Sequence, residues 1–84
     1  MKHLCPVCGF PEMSEAAYDA YNCPTYYICP SCGTEFGYHD ATKSFDEIRA
    51  VWLASGGLWS DANIAQPLDW SAYEQITKAG LKII

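Results

Sequence analysis

The chain has 84 residues and a formal charge of −5, from ten acids against five Lys and Arg; half of it is hydrophobic, and twelve residues are aromatic. That size allows one small domain, residues 1–84, and the aromatic content excludes a disordered polar chain. The acidic balance argues against nucleic acid as a partner, because phosphate contacts need basic residues, and no run approaches the ~18 apolar residues of a membrane span.

Two halves follow one another along the chain, a cysteine-bearing half over residues 1–40 and a tryptophan-bearing half over residues 44–84. Met1-Lys2-His3-Leu4 leads directly into Cys5 rather than into an apolar leader, so a cytoplasmic protein with reduced thiols is expected. Glu12 to Asn22 has no clear period and reads as a loop or a short turn. Thr25-Tyr26-Tyr27-Ile28 and Thr34-Glu35-Phe36-Gly37-Tyr38 are β-branched and aromatic, which predicts a hairpin with Phe36 and Tyr38 on one face. Ser44-Phe45-Asp46-Glu47 fits a capping box, and Phe45, Ile48, Val51 and Trp52 form an apolar stripe, so a helix is expected over 45–55, closed by Gly56-Gly57. Residues 58–70 read as a loop with Trp59 and Trp70 packed back on the core. Ser71-x-x-Glu74 opens a second, shorter helix that Gly80 should end. Leu81-Lys82-Ile83-Ile84 reads as a final strand or part of an interface.

The strongest pattern is Cys5-Pro6-Val7-Cys8-Gly9, repeated after twenty intervening residues as Cys29-Pro30-Ser31-Cys32-Gly33. Two residues between the cysteines turn both sulfurs toward one ion; proline stiffens the turn, and glycine permits the positive φ that aims N–H groups at sulfur. Two such knuckles complete a tetrahedron. Cys5, Cys8, Cys29 and Cys32 are therefore the expected ligands of one structural zinc ion, with iron the lesser alternative because similar knuckles also hold iron. A disulfide framework fits poorly with an odd count of five cysteines in paired spacing. Four bound thiolates and a divalent cation would take the charge from −5 to about −7. Cys23 has no partner at knuckle spacing and reads as a free thiol; His3 and His39 read as surface residues or neighbours of the ligands.

The expected architecture is thus a small α+β metal-stabilised domain, a zinc ribbon of two Cys-Pro-x-Cys-Gly knuckles with a β-hairpin, followed by two short helices. The chain resembles a family of small bacterial cysteine-rich zinc-ribbon proteins. The resemblance is carried by Cys5 to Pro11, by Ile28 to Asp40, and by Trp52-Leu53-Ala54-Ser55-Gly56-Gly57-Leu58-Trp59-Ser60. That family usually has Cys-Pro-Cys-Cys at the second knuckle, where this chain has Ser31, so the additional cysteine is not an obligatory ligand. The resemblance implies a role as an immunity protein that neutralises a toxin used in bacterial competition.

A closed shell of four thiolates leaves no coordination position for substrate, and no nucleophile–base pattern or phosphate-binding loop is readable, so no enzymatic activity is expected. Function is then expected on the surface, through binding of a protein partner. Candidate contacts are Asp40, Asp46, Glu47 and Asp61, with Tyr38 or Trp59 as aromatic anchor, although taken singly each acid reads first as solvated surface and each aromatic as core. The alternative is a rubredoxin-like electron carrier, which shares the knuckles and the acidity.

Overall fold

The computed structural model describes residues 2–83. Both knuckles fold alike. Gly9 N–H donates to Cys5 O at 2.9 Å and Cys5 N–H to Phe10 O at 2.8 Å; in the second knuckle Gly33 N–H donates to Cys29 O at 2.8 Å and Cys29 N–H to Thr34 O at 3.0 Å. A paired bridge between His3 and Met13 braces the first knuckle, and a bridge between Tyr18 and Pro24 closes the intervening loop.

The expected hairpin does not form. Around the second knuckle there is one isolated bridge, Ile28 to Glu35, and no strand occurs among the described residues. The backbone explains this: Tyr26 at φ +60° and Gly37 at φ +106° both leave the extended region, one on each side of the bridge. Gly37 also turns the chain so that Phe36 is fully buried and Tyr38 is exposed, not on one face as a strand would hold them. The chain then enters a 3-10 helix, His39–Ala41.

Helix α1 spans Phe45–Ala54 and starts at the expected capping box, with Glu47 N–H donating to Ser44 Oγ and Ser44 N–H to Glu47 Oε1. Its inward face differs from the expected stripe. Val51 is exposed, and Arg49 is buried beside Trp52, with Phe45, Ile48 and Leu53 packed against the core. Gly57 N–H returns to Trp52 O at 2.9 Å to finish the helix.

The following loop is pinned under the second knuckle, where Asp61 N–H donates to Pro30 O at 2.9 Å. As expected, Trp59 and Trp70 pack inward, in an aromatic chain that runs from Phe10 through Trp59 and Trp70 to Trp52 with ring centroids 5.4–6.1 Å apart. Helix α2, Ala72–Lys78, has Ser71 as its N-cap and Gly80 in the left-handed region beyond its end. It rests on the first knuckle at Gly9, where φ is +82° and a Cβ would lie 2.7 Å from that of Ala79 and 2.8 Å from Gln75 O. Only glycine allows that approach. Residues 81–83 form no strand, although Leu81 packs on the core; Ile84 lies outside the described residues.

One hydrophobic cluster joins Cys5, Val7, Cys8, Phe10, Met13, Cys29 and Phe36 with Trp52, Ala72 and Ile76, so residues from both halves share a core. No helix among the described residues is long and apolar enough to cross a membrane.

Candidate metal centre

The two knuckles bring Cys5, Cys8, Cys29 and Cys32 together, with their sulfur atoms all within 4.8 Å of one another. Across the knuckles, Cys5 Sγ lies 3.8 Å from Cys32 Sγ, and Cys8 Sγ lies 3.7 Å from Cys29 Sγ. A tetrahedral four-sulfur shell with metal–sulfur bonds of ~2.3 Å has S···S edges of about 3.8 Å. Two of the six edges already have that length, and the cluster could hold one metal ion. Three of the four cysteines are buried; Cys32 is half-buried, in a shallow cleft shared with Thr34, His39 and Trp52.

Electrostatics point the same way. Four thiols this close cannot all ionise without a cation among them. Shared protons with Cys29 first and Cys32 second, together with burial, hold the Cys5 thiol far above its ordinary range, and the same influences raise Cys8. Hydrogen bonds from Cys29, then Cys5 and Cys8, pull Cys32 down; Thr34 Oγ1, 3.2 Å away, acts in the same direction. A cation between the sulfurs replaces those protons. Cys8 N–H already points at Cys5 Sγ at 3.5 Å, the backbone contribution that the knuckle turn supplies.

Each helix sends one polar side chain to the knuckles. Arg49 of α1, only 1% exposed, donates from Nε to Val7 O and from Nη2 to Pro6 O at 3.0 Å. Its Nη1 reaches Lys82 O at 3.0 Å and Asp46 Oδ1 at 2.7 Å. A permanent positive charge thus lies against the first knuckle, beside a site that would carry −2 with a divalent ion bound. Gln75 of α2 donates from Nε2 to Cys8 O and to Ser31 Oγ, while its Oε1 accepts from Trp70 Nε1. Sequence reasoning missed both residues. For Arg49 a signal existed, since it lies four residues after Phe45 and three before Trp52, on the face that packs inward. Ser31, fully buried, holds a hydrogen bond where the resembling family has a cysteine.

Cys23 is exposed and stands apart from the cluster. His3 is half-buried in its bridge to Met13, and His39 Nδ1 accepts from Glu35 N–H at 2.9 Å. The residues expected to contact a partner are engaged in different ways within the chain. Tyr38 is exposed, and the Asp40 carboxylate accepts from Tyr18 Oη and from Gly37 N–H. Asp46 pairs with Arg49, and Glu47 closes the α1 cap, whose N–H and hydroxyl groups hold its carboxyl below the usual range. Asp61 Oδ1 accepts from Asn63 N–H, and the Trp59 ring packs between Phe10 and Trp70.

Set against known protein families, curated proteins and solved structures, the chain matches none. The likeness to the cysteine-rich zinc-ribbon proteins therefore stands on the quoted motifs alone, and the class that the site defines is a small domain built around four clustered cysteines.

Proposed function

We propose that this chain is a non-catalytic zinc-ribbon module that binds a protein partner, and that the partner is a cognate bacterial toxin domain which it neutralises as an immunity protein. The observation that carries the binding role is the cluster of Cys5, Cys8, Cys29 and Cys32, which uses every position of a tetrahedral ion and leaves none for substrate. An ion held in this way serves the scaffold, and activity belongs to the surface around it. Zinc is the ion assigned to the cluster, because a closed shell of four thiolates suits a structural ion without redox cycling, although the same donors also take the iron of an electron carrier. The toxin assignment draws on the motif resemblance and on the acidic balance, which suits fast association with a basic active site.

The test is to co-express the chain with the C-terminal domain encoded by the neighbouring gene, then to score growth rescue and co-purification. Rescue with a stable complex supports the proposal; a toxic domain that is neither bound nor neutralised refutes the immunity role. The colour of the purified protein decides the metal, since a tetrathiolate iron site is red and a zinc site colourless.

A further inference from the structure

We infer that the docking surface is the face of the second knuckle formed by Tyr26, Ile28 and Tyr38, and that it takes an arginine-bearing segment of a protein partner. This deepens the protein-binding reading and rests on it. Charge is divided unevenly along the chain. Residues 1–42 hold five acids and one base, Lys2, for −4, whereas residues 43–84 hold five acids and four bases, for −1, which together give the −5 of the whole. Several acids of the second half are engaged within the chain: Asp46 with Arg49, Glu74 with Lys78, and Glu47 in the α1 cap. Between residues 3 and 42 there is no Lys or Arg, and Lys2 pairs with Glu12, so among the described residues neither Glu35 nor Asp40 has an ion-pair partner, although the Asp40 carboxylate accepts from Tyr18 Oη and Gly37 N–H.

On this acidic half three large side chains face solvent together: Tyr26 is 61% exposed, Ile28 56% and Tyr38 67%. The backbone brings them near one another. Ile28 is bridged to Glu35, the Tyr26 ring lies so close over Gly37 that a Cβ there would come within 2.6 Å of it, and Tyr38 follows directly. Tyr26 is held outward at φ +60°, a conformation that a bulky residue seldom adopts. Asp40 bonds to Gly37 N–H, which places its carboxylate at the edge of this patch. Tyrosine gives contact area at low rotamer cost, an electron-rich face for a cation and a hydroxyl for hydrogen bonds. Guanidinium suits both surfaces, since it stacks flat on a ring and pairs with a carboxylate through two N–H groups; an ammonium is more strongly hydrated and does neither as well. The apolar groove of Leu4, Phe10 and Leu68 is less complementary, because Lys2 and Lys78 already sit with two of its three acids, Glu12 and Glu74, leaving only Asp69 without a lysine among the described residues.

The experiment uses isotope-labelled, zinc-loaded full chain and three short synthetic peptides of one design, carrying Arg, Lys or Glu at the same positions among Leu and Ser. The arginine peptide should shift the amides of residues 26–28 and 35–40 and bind more tightly than the lysine peptide, and the glutamate peptide should not bind. Tyr26→Asn with Tyr38→Ser should weaken the arginine peptide about tenfold, and Ile28→Arg should abolish its binding, with metal content and amide dispersion unchanged. The inference is overturned if the arginine peptide shifts nothing, if the shifts fall on Leu4, Phe10 and Leu68, if the lysine peptide binds as well, or if folded surface variants bind as the parent does. Growth rescue without the peptide response would leave the immunity role standing and remove this surface; the reverse result would do the opposite.

Discussion

Gln75 Nε2 lies 3.1 Å from the carbonyl oxygen of Cys8, so a residue forty-three positions beyond the last metal-site cysteine completes the hydrogen bonding of the first knuckle. The same amide reaches Ser31 Oγ at 3.0 Å in the second knuckle, and its oxygen receives Trp70 Nε1 at 2.9 Å. Helix α2 thereby fastens both knuckles and the tryptophan chain at one point.

Replacing Gln75 with Leu keeps the volume and removes all three bonds, leaving the Cys8 carbonyl, the Ser31 hydroxyl and the Trp70 indole N–H without these partners. Each buried group so stranded costs about 1–3 kcal/mol, and a small domain loses roughly 4–8 °C of melting temperature per kcal/mol. Thermal melting of the metal-loaded protein should fall by ten degrees or more on that scale. An unchanged melting temperature in Gln75→Leu would remove this residue from the account.

Arg49 should matter more for metal retention than for surface charge. Its fork holds Pro6 O and Val7 O, the two carbonyls between the ligands Cys5 and Cys8. Loss of groups that orient metal ligands usually lowers affinity ~10–100-fold. Arg49→Met should therefore weaken zinc in competition with a chromophoric chelator by that order, and Arg49→Lys should recover little, because one ammonium cannot span carbonyls on two sides. Equal metal affinity in all three proteins would show that the fork only fills space.

Both helices were legible in the sequence because their signals are local: the Ser44 and Ser71 caps fix the starts, and Gly56-Gly57 and Gly80 fix the ends. The four-cysteine cluster was legible for the same reason, since knuckle spacing is a short-range property. The hairpin was misread because Tyr26 and Gly37 leave the extended region, and β-propensity reports a preference for a pleated surface without forcing one. Arg49 was missed because a charged residue in a helix ordinarily faces water; here four carbonyl and carboxylate oxygens replace that water. Nothing local in residues 75–82 announces that Gln75 and Lys82 O meet the knuckle and its arginine.

Metal uptake should release protons, and affinity should rise with pH. The metal-free cluster keeps the Cys5 and Cys8 thiols protonated above their ordinary range, with Cys29 the first cause in each, while Cys32 is already pulled down. A raised pKa stabilises the metal-free fold below the unfolded thiol value of ~8.5, and that contribution is lost as pH rises beyond it. The cation, which needs thiolates, gains over the same interval. Calorimetry near pH ~7.5 in buffers of different ionisation enthalpy should register a net release of protons on metal binding. Proton-neutral binding would contradict the ionisation scheme.

Cysteine substitutions should separate the cluster from the exposed thiol. Cys29→Ser should lose the ion and the order of the cysteine-bearing half, because a structural zinc supplies ~10–16 kcal/mol of apparent binding energy against ~5–15 kcal/mol for a whole domain. Cys23→Ser, at an exposed position away from the cluster, should melt and bind metal as the parent does. Parallel behaviour of the two variants would mean that Cys23 belongs to the site.

The most direct measurement is X-ray absorption at the metal edge of the purified chain, combined with metal analysis of the same sample. One equivalent of zinc, surrounded by four sulfur scatterers at ~2.3 Å and no lighter ligand, is the predicted result. A substoichiometric metal, or a shell that contains an oxygen or nitrogen atom, would contradict the closed scaffold site on which the proposed binding function rests.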